Sequence, residues 1–207
     1  MEILNQFGVV PIDYGVLVSQ LTAYKSPRQK IVELEKEGSL IRLKRGLYVV
    51  SPKISGKLLS IELIANHIYG PSYVSMESAL RYYGLIPEKT YSVDSMTIKR
   101  SRKFDNATAI FKYTYCPSSY YAIGVNQVAK EGFTFLIASP EKALCDVIIY
   151  TPQLRLRSMM ALQEYLRDDL RLDMREFFKM DIAIFEQCAL HNRKSEELNN
   201  IIKLLRQ

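Results

Sequence analysis

The chain has 207 residues, 48% hydrophobic and 24% charged, with a net charge of +6. That length suits one or two modest domains with a sizeable core, and the balance excludes disordered, collagen-like and coiled-coil chains. Apolar runs such as 135–138 and 147–150 are far too short for a membrane span. Glu2 follows Met1 directly and no basic segment precedes an apolar stretch, so a signal peptide is not expected. Three cysteines, Cys116, Cys145 and Cys188, are an odd number without close spacing, which gives neither a disulfide framework nor a zinc motif. A reduced, cytoplasmic protein without metal, cofactor or membrane contact is the expectation.

The charge is unevenly spread. Residues 1–57 hold nine Lys/Arg against five Asp/Glu, a surplus of four, whereas 58–152 and 153–207 each carry a surplus of one. A basic module joined to a near-neutral body points to a nucleic-acid-binding part and a second part with another task. In the basic part, residues 1–7 form a short helix stopped by Gly8. Val16, Leu17, Leu21 and Tyr24 suit an amphipathic helix over 13–24. Ser26, Pro27 and Gln29 read as N-cap, N1 proline and N3 partner of a capping box. The helix they open puts Ile31 and Leu34 inward and ends at Gly38. At about 100° per residue, Gln29, Glu33 and Lys36 face outward, Lys30 borders that face, and Arg28 sits at the exposed first turn.

Residues 40–50 then read as a hairpin. Ile41 and Leu43 alternate with Arg42 and Lys44, Gly46 supplies the positive φ of a tight turn after Arg45, and 47–50 return. Capped helix followed by basic hairpin is the order of a winged helix-turn-helix, in which helix N-terminal residues reach base edges and the wing lies on the phosphate backbone. Taken singly, each feature is an ordinary helix or a solvated loop. Glu33, Glu35 and Glu37 oppose a phosphate-rich partner unless Glu33 reads a cytosine amine.

Residues 51–56 have the composition of a linker, dividing a winged-helix domain (1–52) from a larger domain (57–207). Helices are expected over 58–69 and 76–83, strands over 91–99, 109–115 and Phe133–Ala138, and a helix opened by Ser139 and Pro140. From Gln153 onward the pattern is helical. The fold class is therefore α+β, an N-terminal winged helix followed by a small sheet with surrounding helices.

Four blocks carry a family likeness: 24–31 (YKSPRQKI), 38–48 (GSLIRLKRGLY), 73–86 (YVSMESALRYYGLI) and 138–146 (ASPEKALCD). Together they resemble AbiEi-type antitoxins over about residues 10–150. The resemblance implies an antitoxin that represses its own operon by binding double-stranded operator DNA, with a C-terminal domain counteracting a nucleotidyltransferase-like toxin. It implies DNA contacts by Arg28, Gln29, Lys30 and Lys36 on the helix and by Arg42, Lys44 and Arg45 on the wing, with Leu47 and Tyr48 packing the wing against the helices. The blocks around Ser78 and from Glu141 to Asp146 receive no contact role. Operator symmetry calls for two copies per site, as a homodimer or as paired monomers, a choice the sequence leaves open.

Lys99, Arg100, Arg102 and Lys103 form the densest basic run. It reads as a solvated loop between strands, with a second phosphate contact or an RNA-competing surface as its functional alternatives. Fourteen tyrosines are explained more simply by half-buried positions than by base stacking. His67 and His191 have no partner at ligand spacing. No phosphate-binding glycine motif occurs. Gly38-Ser39 is not followed by Asp-x-Asp, and Pro140-Glu141-Lys142 lacks nuclease spacing, so an enzyme is not expected. Two rival readings remain: a protein-interaction module without DNA binding, and an uncharacterised RNA-acting enzyme.

Overall fold

The computed structural model describes residues 2–87, 92–191 and 194–207, with side chains from Leu4 onward. Met1 and Tyr91, which begin an expected helix and an expected strand, lie outside the described residues, as does the Ile3 side chain. The fold is α+β. The N-terminal part runs α1 (Glu2–Asn5), β1 (Ile12–Asp13), α2 (Tyr14–Gln20), α3 (Pro27–Lys36), β2 (Leu40–Lys44) and β3 (Leu47–Val50). Its antiparallel sheet has the order β1-β3-β2. Strand β1 was not legible: two residues show no alternation, and Asp13 pairs with Leu47 before capping α2. The helix expected over 13–24 accordingly starts late and stops at Gln20, leaving Val16 and Tyr24 exposed while Leu17 and Leu21 are buried.

The expected linker is instead α4 (Pro52–Ser55), whose N-cap Ser51 accepts the Lys53 N–H and whose C-cap Gly56 is left-handed. Turn-rich composition fits a short capped helix equally well. More consequential is β3, which is buried along its whole length. Tyr48 and Val50 face a small core with Leu17, Leu21, Ile31 and Leu34. Leu47 and Val49, joined by Leu43, face the opposite way into the main core with Leu63, Ile64 and Ile68. Alternate side chains of one strand thus belong to different cores. The hairpin apolar residues Ile41 and Leu43 therefore serve the body, and so does Leu47, which was expected against the N-terminal helices. Tyr48 does pack there.

The body contains a six-stranded mixed sheet of order β6-β7-β5-β4-β9-β8. Its strands are β4 (Ser72–Val74), β5 (Ser92–Thr97), β6 (Arg102–Asp105), β7 (Ile110–Tyr115), β8 (Val125–Lys130) and β9 (Phe133–Ala138). Central β4 is parallel to β9, and β5 to β7; the other neighbours are antiparallel. On one face lies α5 (Ile61–Ile68), capped by Ser60 through the Leu63 N–H; the Tyr113 hydroxyl donates to its Ala65 carbonyl at 2.6 Å. On the other lie α6 (Met76–Tyr82) and α8 (Pro140–Tyr150), with α7 (Ser118–Tyr121) between β7 and β8. The chain closes with α9 (Met159–Glu164), a π-helical turn (Tyr165–Asp169), α10 (Met174–Phe177), α11 (Ile182–Leu190) and α12 (Ser195–Leu205). Among the described residues, no helix is long and apolar enough to cross a membrane.

Strands β6 and β8 carry no clear signal in the sequence because both are sheet edges, where exposed charged and amide side chains replace the apolar period. The cap at Ser139 is as read: its hydroxyl accepts the Lys142 N–H. From that helix, Asp146 enters the core and collects the Tyr73 hydroxyl at 3.1 Å, the Ser75 hydroxyl at 2.6 Å and the Tyr120 hydroxyl at 2.7 Å. Lys142 reaches Asp146 at 3.2 Å and the Tyr120 carbonyl at the same distance, and neither charged side chain touches solvent. Gly124 makes room for this: its φ is +59°, and a Cβ there would fall 2.9 Å from the Lys142 Cβ. Removing one partner of a buried ion pair strands the other. Lys142→Met is expected to lower the unfolding free energy by about 3–5 kcal/mol in chemical denaturation.

Candidate nucleic-acid interface

Helix α3 begins at Pro27, as its proline and spacing require, and Gly38 ends the turn beyond it with φ +72°. The capping box does not form: Ser26, with a ψ of 87°, makes no side-chain cap hydrogen bond. Gln29, thereby released, is exposed. With Ile31 and Leu34 buried, Arg28, Gln29, Val32, Glu33 and Lys36 form the solvent face. Lys30 is half-buried on the flank over the Tyr24 ring, and its ammonium meets the Glu33 carboxylate at 3.3 Å. That hydrogen bond holds the Lys30 pKa above its ordinary value. Glu33 is thus partly neutralised from within the helix. Lys25, not singled out in the sequence, is exposed and lines a groove with Tyr24, Ser26, Gln29 and Lys30. The signal for it was weak, a lone cation just before the helix.

The hairpin divides its cations. Arg42 is exposed opposite Tyr48, on the side of the sheet that faces α2 and α3. Burial raises the Tyr48 pKa; Arg42 opposes that rise and Glu35 reinforces it, placing both charges near one ring. Arg45 is exposed at the tip beside Gly46, whose φ is +82°. Lys44, read from the sequence as a phosphate contact, is committed elsewhere: its ammonium donates to the Ile68 carbonyl at 2.6 Å, at the C-terminus of α5. The last carbonyls of a helix lack intrahelical donors and carry the negative end of its dipole, which attracts a cation. A register shift between Arg42 and Lys44 turns the side chain that way. The Asn106 amide adds a second clasp by donating to the Leu43 carbonyl at 2.9 Å.

The structure therefore brings Arg28, Gln29 and Lys36 onto one helix face, with Arg42 on the adjoining hairpin flank and Arg45 at its tip. Lys30 stands at the border, and Lys44 leaves the set. The blocks 73–86 and 138–146 meet in the body, joined by Tyr73 and Ser75 to Asp146. Burial and the Asp146 carboxylate both push the Tyr73 and Tyr120 hydroxyls upward, and burial pushes the Cys116 thiol up to about 12. These groups are sealed and neutral, suited to holding elements together.

No family model matches the chain, and no curated relative does. Among solved structures, the chain is similar to the RV2827C protein from Mycobacterium tuberculosis, with a TM-score of 0.52 and 15% sequence identity. The likeness covers 98% of this chain and 78% of that one, and at this identity it bears on the fold alone.

The two hairpin cations should separate cleanly under mutation. Lys44→Met leaves the Ile68 carbonyl without its charged donor and is expected to cost about 1.5–3 kcal/mol. Arg45→Ala, at an exposed tip, should stay within about 0.5 kcal/mol of the parent. Urea unfolding of both variants reads the difference.

Proposed function

We propose that the chain is a double-stranded-DNA-binding transcriptional autoregulator whose N-terminal unit is a winged helix. Helix, strand, two helices and hairpin follow in the order that arrangement requires, and α3 stands where a recognition helix would enter the major groove. The observation carrying the reading is the shared location of Arg28, Gln29 and Lys36 on the open face of α3 with Arg42 and Arg45 on the hairpin beside it, in the segment holding most of the positive surplus. Gln29 suits bidentate pairing with adenine and Arg28 with guanine. Lys36, Arg42 and Arg45 suit phosphates, which supply affinity and register. Lys44 is replaced in this role by Lys25. The resemblance to AbiEi-type antitoxins supports the rest: the body would counteract a nucleotidyltransferase-like toxin encoded beside the chain, with operator half-sites filled by two copies.

Glu33, Glu35 and Glu37 favour a second reading, in which α3 docks a protein and has no affinity for DNA. Upstream DNA decides between them. On that duplex, Arg42→Ala/Arg45→Ala should lower the slope of log affinity against log salt by about 1.8, two contacts at about 0.9 each. Gln29→Ala should cost about 1–3 kcal/mol on the operator and relax selectivity at one base pair. Affinity and slope that ignore all three substitutions would remove the DNA reading. Co-expression with the neighbouring gene's product separates the antitoxin role: the Arg42/Arg45 variant should lose repression and still restore growth.

A further inference from the structure

The basic run at 99–103 spans the turn after β5 and the start of edge strand β6, so that Arg102 and Lys103, expected in a loop, pair with β7 instead, and Ile98 through Lys103 are all exposed. It is held at several points. The Lys99 N–H donates to the Thr97 hydroxyl at 3.2 Å, the Tyr69 hydroxyl to the Arg100 carbonyl at 3.3 Å, and the Tyr115 N–H to the Ser101 hydroxyl at 2.9 Å. The Lys99 ammonium also reaches the Gly70 carbonyl and lies over the Tyr69 ring. Two of these anchors, through Tyr69 and the Gly70 carbonyl, lie just beyond the C-terminus of α5, and Lys44 at the end of β2 reaches the Ile68 carbonyl beside them. Three consecutive residues, Ile68, Tyr69 and Gly70, therefore connect the tip carrying Arg45 to the loop carrying Lys99 and Arg100. The other end of β6 is tied to the same hairpin, by Asn106 to Leu43.

Strand alternation then sorts the charges. Phe104 pairs with Phe111 and touches Tyr69 and Tyr113, so it faces α5. Arg102 lies on that same face, with its guanidinium over the Phe104 ring. Lys103 and Asp105 point to the opposite face, where Lys103 is level with Lys112 and Lys112 lies among Asp94 and Glu77. Acidic side chains at this end of the sheet thus fall on the far face. Glu62, the acidic residue of α5, is at the other end of that helix, bonded by Ser60. Among the described residues, no ion pair takes up Lys99, Arg100 or Arg102. A fixed main chain presenting cations, with Asp105, Asp94 and Glu77 turned to the far face, matches a regularly charged backbone better than a protein surface.

From this juxtaposition we infer that Lys99, Arg100 and Arg102 form a second phosphate-binding surface, continuous with the hairpin tip and engaging the same DNA duplex beyond the part covered by α3. The inference rests on the DNA reading above and extends it: the body itself grips the operator flank. Because the surface meets only backbone, it adds affinity at any sequence and leaves base preference unchanged.

The test uses the full chain and a duplex of about 30 bp from upstream of its own gene, with affinity followed from about 0.05 to 0.2 M salt. Arg100→Ala/Arg102→Ala should lower the log–log slope by about 1.8, so that its deficit shrinks about twelvefold across that range. Arg100→Lys/Arg102→Lys should restore the slope, which a merely structural role for the arginines would not predict. Lys103→Ala, on the opposite face, should leave the slope unchanged. If Arg42→Ala/Arg45→Ala lowers the slope and Arg100→Ala/Arg102→Ala does not, the interface ends at the hairpin and the inference fails alone. Loss of binding to an RNA hairpin with duplex binding intact would assign the loop to a different partner and overturn it. A parent chain indifferent to the duplex would overturn both this surface and the DNA reading.

Discussion

Burying both faces of a strand leaves it no freedom to move relative to either neighbour, and β3 is buried in this way. Tyr48 and Val50 complete the small core under α2 and α3, while Leu47 and Val49 complete the main core against α5. Each such side chain contributes on the order of 1.5–3 kcal/mol when withdrawn from water. Separating the N-terminal unit from the body would expose Leu43, Leu47 and Val49 together. The two units are consequently joined through β3, and the hairpin cations are placed by that junction.

The constraint also explains why the hairpin is clasped. A two-residue turn at Arg45 and Gly46 is too short to project far, and its neighbours Leu43 and Lys44 are held by Asn106 and Ile68. What it loses in reach it gains in preorganisation, since groups already fixed need not be ordered on binding. The loop after β5 is anchored to the next residues of the same turn of chain, Tyr69 and Gly70.

Within the body, a single carboxylate does comparable work. Asp146 accepts three hydroxyls and faces Lys142, so that β4, α7 and α8 meet at one point. Buried charge is costly unless every lone pair is matched, and this network matches them with Tyr73, Ser75, Tyr120 and Lys142. Met76, next to Ser75, adopts a left-handed φ of +52° where the chain turns from β4 into α6, a conformation that a non-glycine side chain tolerates when its surroundings fix it.

Local chemistry wrote the helix starts at Pro27 and Pro140, the hairpin turn at Gly46, the strand Phe133–Ala138 and the outward face of α3 directly into the sequence, because each depends on residues within one or two turns of each other. The α+β class followed from the change of apolar period along the chain. The sequence could not reveal β1, β4, β6 or β8, which are short or lie at sheet edges and owe their conformation to partners far along the chain. Nor could it show that 51–56 is a capped helix rather than a tether, that Lys44 turns inward to a helix end, or that Lys44 and Lys99 reach carbonyls two residues apart at that end. Those outcomes depend on which surfaces meet once β3 is enclosed. Periodicity records that a side chain is apolar or charged; only packing decides which core it enters and which carbonyl it finds.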